Sequence, residues 1–353
     1  MDGTDTNKRF DSQSIKRWAM ALVSLVIFGV VIYVVHHLLA EYRWRDVLQH
    51  MRDIPAANVG GAALITALSY LLLTGFDALG IKYTGRHVPY RRTALISFMA
   101  YAFGHNVGVA AFSGAALRYR LYSAMGLGVV DVATIVGFCS LTTALGLSVV
   151  GGSSLLFKPR ILSTASNLHA DLVRGLGVVA LIIAVLYIGW ALFARSKFTI
   201  RDWTLKPPGP RIALPQLLLG VADILVASAT LWILLPEGAR PSLLGFSGAY
   251  AAAVLGGLIS TVPAGLGVFE SIMLLLLPNI PGDQLLGCLL VYRAIYYWAP
   301  LALATVLFVI AELWQQRAFI GRVNALASVY VKPIAPQLAG VLIFLSGAVL
   351  LVS

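Results

Sequence analysis

Charged residues are scarce in this sequence, and their scarcity decides the class of protein. Asp, Glu, Lys and Arg make up 12% of the 353 residues, where an ordinary soluble domain has about 25%. Hydrophobic residues supply 59%, and the mean hydropathy is +0.85. Polar stretches on the scale of a separate soluble domain, roughly 50 residues or more, are absent. A soluble enzyme is therefore excluded, as are a Rossmann unit and a G-x-x-x-x-G-K-[ST] phosphate loop. Cysteine is nearly absent too. Cys139 and Cys288 both lie in apolar runs and read as small core residues, not as a disulfide or a metal site. The chain shows no His/Cys cluster at metal spacing, no nucleophile elbow and no carboxylate pair in a soluble cleft. No catalytic set, cofactor or metal is expected. The adjacent His36 and His37 would point about 100° apart on a helix, which is poor geometry for joint ligation. Acidic residues are the rarer sign, 15 against 26 basic, for a formal charge of +11. The basic residues fall between apolar segments. Their expected partner is the anionic membrane surface, not nucleic acid.

What the sequence has in abundance is apolar runs long enough to span. About 20 apolar residues cross a bilayer, and a signal-peptide core has only about 7–15. Runs 18–40, 56–83, 129–151, 172–194, 214–235, 284–313 and 334–352 read as seven spans, the first of them retained. Residues 1–17 read as a cytoplasmic segment and 18–353 as a single transmembrane domain. Stretches 93–117 and 243–277 are apolar but broken by Gly, Pro, Asn and His. Basic residues collect on cytoplasmic loops. If both broken stretches enter and leave on one side, 18 basic residues fall inside and 7 outside, with Arg293 inside a span. If 93–117 crossed fully, the basic loop 195–211 would move outside. The expectation is therefore an all-α polytopic membrane protein with about seven transmembrane helices and two re-entrant broken helices. The first re-entrant segment opens to the cytoplasm and the second to the opposite face.

An internal repeat underlies this pattern. A shift of 152 residues places Arg118 on Glu270 and Asp131 on Asp283. Asp77 and Asp223 each sit in an apolar span upstream. Each copy, about 56–151 and 214–313, reads as a span with Asp, a re-entrant segment and a span, running in opposite directions. Inverted repeats place a substrate site at the midplane, built from broken helices. His105 and Asn106 mark the first re-entrant tip, where they are expected to cap broken helix ends. Gly265 and Gly267 mark the second. Charge at mid-bilayer costs about 2.5–3.5 kcal/mol per side chain on insertion scales. Asp77, Arg118, Asp223, Glu270 and Arg293 therefore need a reason to be there. Mutual pairing, as of Glu270 with Arg293, is one. A polar cavity for a charged headgroup is the other, and the two are compatible. Tyr292, Tyr296, Tyr297 and Trp298 read as packing or interface residues, and Pro300 should kink its segment.

These residues also carry a resemblance. Phe103-Gly104-His105-Asn106-Val107-Gly108, followed by Ser113-Gly114-Ala115-Ala116-Leu117-Arg118-Tyr119-Arg120, resembles the membrane region of bacterial lysylphosphatidylglycerol synthase/flippases, the multiple peptide resistance factors. Pro263-Ala264-Gly265-Leu266-Gly267-Val268-Phe269-Glu270 and Tyr292-Arg293-Ala294-Ile295-Tyr296-Tyr297 are similar to motifs of the same superfamily. The resemblance implies a bacterial inner-membrane protein with a cytoplasmic N-terminus. It implies movement of aminoacylated phosphatidylglycerol from inner to outer leaflet and protection against cationic antimicrobial peptides. Transferase activity is not implied, because the soluble transferase domain of bifunctional members is absent from this chain. On this reading Arg118 and Arg293 meet phosphate, and Asp77, Asp223 and Glu270 meet the ammonium groups. The acyl tails stay in the bilayer. The alternatives are a transporter of another lipid-linked anion, an anchor or partner of a separate synthase, and a fragment of the synthase itself. A homodimer is a further possible assembly.

Overall fold

The computed structural model describes residues 44–106, 114–159, 169–193, 198–200, 203–205, 207–260 and 262–315. The expected spans 18–40 and 334–352 lie outside the described residues. The chain divides into two compact units, Met1–Ala302 and Leu303–Ser353. All helices through α10, and the packing between them, lie in the first. The described part of the second is helical, to Gln315.

A short helix α1 (Trp44–Asp53) precedes α2 (Ala56–Thr84), α3 (Tyr90–Asn106), α4 (Gly114–Ser123), α5 (Val129–Phe157) and α6 (Ala170–Phe193). A two-stranded antiparallel ribbon, β1 (Phe198–Ile200) and β2 (Trp203–Leu205), leads to α7 (Pro210–Trp232). Then come α8 (Leu243–Ser260), a 3₁₀ turn Pro263–Gly265, α9 (Val268–Leu276), α10 (Gly282–Arg293), a π-helical turn Ala294–Trp298 and α11 (Ala299–Gln315). Six described helical segments are long and apolar enough to cross a membrane: α2, α5, α6, α7, α8 and Gly282–Ala311. Five of these match expected spans. The sixth, α8, is the first arm of the second broken stretch.

The bundle buries polar side chains within its apolar core and turns large apolar side chains outward. Ser69, Asp77, Ser97, Thr142, Gln216, Ser228 and Ser247 are buried, while Leu64, Val185 and Leu186 are 75%, 68% and 66% exposed. In lipid the outer face gains nothing by hiding Leu, so close packing and interhelical hydrogen bonds hold helices together. Both are present. At the α5–α7 crossing, a methyl on Gly146 would overlap the Gly220 carbonyl, so only glycine lets these backbones touch. Gln216 then donates to Thr142 Oγ1 at 3.0 Å and accepts from Tyr187 OH. Ser228 and Ser247 share a hydrogen bond of 2.7 Å between α7 and α8.

Contacts fix the direction of each hairpin. Near the end of α2, Gly80 packs against Ile135, Tyr83 against Phe138, and Arg86 Nε donates to Asp131 Oδ2 at 3.0 Å. The end of α2 thus lies beside the start of α5, and the α3–α4 hairpin between them leaves and returns at one end of the bundle. Just past the end of α7, Leu234 O accepts from Cys288 Sγ of α10 at 3.1 Å. The α8–α9 hairpin likewise returns to its own end. Gly61 meets Ile233, Ser69 meets Asp223 and Gly75 meets Leu219, so α2 and α7 are antiparallel. The two hairpins therefore enter from opposite ends.

Candidate functional site

The second tip is built by backbone chemistry. Gly265 and Gly267 have φ of +58° and +80°, a region open to glycine at no cost. Ala264 shares it, with φ of 55°, where a Cβ costs roughly 1–2 kcal/mol. Two charged side chains hold this turn. Glu270 Oε2 accepts the Gly267 N–H at 2.7 Å, capping the first turn of α9. Arg293 Nε donates to Glu270 Oε1 at 2.7 Å, and its Nη1 donates to the Ala264 carbonyl at 2.6 Å. The guanidinium lies 4.7 Å from the Tyr297 ring centroid. Glu270 and Arg293 are thus a pair, as one reading of the sequence expected, and the start of α9 is capped from within.

Asp77 and Arg118 form a second pair. Arg118 Nε and Nη2 donate to Asp77 Oδ1 and Oδ2, both at 2.8 Å. Ser97 Oγ and Tyr122 OH add bonds of 2.9 and 3.0 Å to the same carboxylate. Asp77 is wholly buried and Arg118 is 5% exposed. Arg118 also lies 4.4 Å from the Tyr101 ring centroid. The pair pins α4 to α2 and leaves neither charge open.

Asp223 is different. It is 6% exposed, and its hydrogen bond comes from Ser69 Oγ at 2.9 Å. Ser69 Oγ also shares a bond of 2.9 Å with Tyr296 OH. No ion pair to Asp223 exists among the described residues. The five interior charges proposed from sequence comprise three acids and two arginines, and both arginines are committed elsewhere. One of the three acids is left without a basic partner among the described residues, and it is Asp223.

Asp223 lines a cavity of about 300 Å³ that both tips share: Gly104 and His105 from the first, Pro263, Ala264 and Gly265 from the second. Tyr101, Tyr250, Tyr296 and Tyr297 also line it. The turn that presents two of these tyrosines follows from Pro300. Proline has no N–H for the Tyr296 carbonyl four residues back, and the helix widens into a π turn in which Ala299 N bonds Ala294 O. The freed carbonyls find other donors. Tyr70 OH donates to Tyr296 O at 3.3 Å, and Asn106 Nδ2 to Tyr297 O at 3.2 Å.

Asn106 also donates to Ala102 O at 2.8 Å, so it caps α3 as expected. His105 does not cap. Its ring stacks on Tyr296, with centroids 6.4 Å apart at 15°, and its buried Nδ1 has no hydrogen-bond partner. Tyr292 and Tyr296 are buried in the core with Tyr297 packed against it, as the packing-or-interface reading expected; Tyr296 and Tyr297 also line the cavity, and Trp298 is 54% exposed. Ser69, Tyr101 and Tyr250 were not singled out from sequence. Their signal was a hydroxyl inside an apolar run, which many structural residues share. Cys139 and Cys288 are free and buried, and the described residues contain no metal-ligating cluster.

Comparison with known proteins agrees with this architecture. The profile of the lysylphosphatidylglycerol synthase TM region matches residues 20–304. The chain belongs to the lysylphosphatidylglycerol synthase transmembrane-region family. Among its relatives, slr0712 of Synechocystis sp. is 35% identical over 306 residues, covering 86% of this chain and 95% of that one. The inner membrane protein YbhN of Escherichia coli (strain K12) is 28% identical over 308 residues, covering 85% and 95%. The phosphatidylglycerol lysyltransferase of Staphylococcus haemolyticus is 24% identical over 292 residues, covering 80% of this chain and 33% of the enzyme. The family chain is a multi-pass membrane protein, and its membership supports a role tied to membrane lipid.

Proposed function

We propose that this chain moves aminoacylated phosphatidylglycerol, of the lysyl type, from the inner to the outer leaflet of a bacterial inner membrane. The observation that carries the reading is Asp223, a buried carboxyl with no cationic partner among the described residues, in a cavity lined by four tyrosines where the two hairpin tips converge. A carboxylate out of water needs a compensating charge. The lysyl ester supplies two ammonium groups, and tyrosine faces attract ammonium by about 0.5–2 kcal/mol each. In this reading Asp223 receives an ammonium. The Glu270–Arg293 pair holds the second tip, and the Asp77–Arg118 pair the first. Arg293, which holds the carbonyl of the cavity-lining Ala264, meets phosphate when its carboxylate partner releases it, since a guanidinium fork matches phosphate oxygens. The two copies form an inverted repeat with hairpins re-entrant from opposite faces, the N-terminus is cytoplasmic, and the chain carries no transferase activity of its own. Outward movement of the cationic lipid lowers surface negative charge and protects against cationic antimicrobial peptides.

The test uses cells that make lysyl-phosphatidylglycerol from a separate synthase. Asp223→Asn keeps shape and removes charge. A charge-assisted hydrogen bond is worth about 1.5–3 kcal/mol. Outer-leaflet lysyl lipid should therefore fall roughly tenfold or more at normal protein yield. Unchanged exposure with Asp223→Asn would refute the assignment.

A further inference from the structure

Beside the headgroup cavity lies a larger one, of about 790 Å³, that the function above leaves unused. Its floor is one face of α5. Ser140, Thr143, Ala144, Leu147, Gly151 and Leu155 line it, spaced by three, four or their sums, as one stripe of a helix requires. The walls come from the α3–α4 hairpin, α6 and α8. Two of the floor's hydroxyls are spent on the helix backbone. Thr143 Oγ1 donates back to Cys139 O at 3.3 Å and Ser148 Oγ to Ala144 O at 2.8 Å. Most of the remaining lining is Ala, Gly, Leu and Ile. At about 1.5 Å per residue the floor runs roughly 22 Å, more than the ~15 Å that one leaflet contributes to a ~30 Å hydrocarbon core. Tyr101, Gly104, His105, Thr143 and Leu258 line both cavities, so the groove adjoins the chamber that holds Asp223.

We infer that the groove holds one acyl chain of the lipid whose headgroup sits at Asp223. The inference rests on the headgroup reading and extends it. A chamber with a buried carboxyl, beside an apolar groove longer than one leaflet, matches the amphipathy of a single lipid molecule. Arg118, the cation among the groove's lining residues, is already satisfied by Asp77, so the groove offers no site to a second headgroup. One tail therefore travels inside the protein, where the sequence alone suggested that both stay in the bilayer.

Two measurements test this with the full chain in nanodiscs. The first uses phosphatidylglycerol with a diazirine midway along one acyl chain, at low mole fraction. Adducts should be several-fold more frequent at Ala144, Leu147 and Gly151 than at Leu64 and Leu186, which face outward. Equal or lower labelling in the groove overturns the proposal. The second fills the groove with Ala144→Trp and, separately, Ala252→Trp. Transport of full-length lysyl-phosphatidylglycerol should fall at least tenfold, while binding of lysine methyl ester, which has no tail, stays within twofold. Wild-type transport in both variants also overturns the proposal. Asp223→Asn should weaken lysine methyl ester binding at least tenfold. Retained binding there sinks the headgroup reading instead, so the two failures are separable. If the tryptophan variants do not fold, labelling of the wild-type chain decides.

Discussion

At the residue scale, five charges inside one bundle divide into three kinds of work. Asp77 with Arg118 is a saturated pair, and breaking it leaves one buried charge alone. Arg118→Leu should destabilise the protein by about 3–5 kcal/mol, read as a fall in the thermal unfolding midpoint in detergent. Replacing both partners with apolar residues of similar size should cost much less. Glu270 with Arg293 works on a turn. Ala264→Gly should stabilise the chain by about 1 kcal/mol, because glycine pays nothing for φ of 55° there. Arg293→Lys should lower both stability and transport, since an ammonium cannot serve Glu270 and the Ala264 carbonyl with the guanidinium's planar geometry. Asp223 has no basic partner among the described residues, and the proposed function assigns it to the ligand. The sequence made all five conspicuous, because charge in an apolar run is rare. It did not say who pairs with whom. Asp77 and Arg118 are 41 residues apart, and only the return of the α3–α4 hairpin brings them together.

At the scale of elements, the two broken stretches were legible because glycine, proline and a polar tip interrupted otherwise apolar runs. Their interiors were less so. The length of α8, 18 residues, gives no warning that α9 packs back against it. Nor does sequence show that the π turn before Pro300 aims Tyr296 and Tyr297 into a cavity; proline announces a defect, not its direction. Pro300→Ala would return an N–H to the Tyr296 carbonyl and close the π turn. Stability should hold or rise, while lysine methyl ester binding, measured calorimetrically, should weaken as Tyr296 and Tyr297 rotate away. Hairpin direction is testable as well. Arg86 lies where α2 ends and α5 begins, and Lys158 lies at the far end of α5. Single cysteines at 86 and 158 should label from opposite sides of the membrane, 86 from the cytoplasm. Labelling of both from one side would contradict the described bundle, and external labelling at 86 alone would invert the orientation.

At the scale of the whole molecule, the account joins a bundle with polar contents to a lipid with a polar head. Periodicity could not reveal this: helices surrounded by lipid on one side and polar partners on the other are apolar nearly all round, so no face stands out. Composition gave the class, basic residues gave an expected orientation that labelling at 86 and 158 tests, and the interior charge balance had to wait for coordinates. The central claim is that the chain carries a cationic lipid headgroup across a bilayer by way of Asp223. The most direct measurement reconstitutes the purified chain into liposomes containing lysyl-phosphatidylglycerol and follows its amines with a membrane-impermeant reagent. The account predicts that wild-type protein makes inner-leaflet lysyl lipid reactive with time, and that Asp223→Asn, equally well inserted, does not. Reactivity confined to the outer-leaflet share in wild-type and protein-free liposomes alike would contradict it.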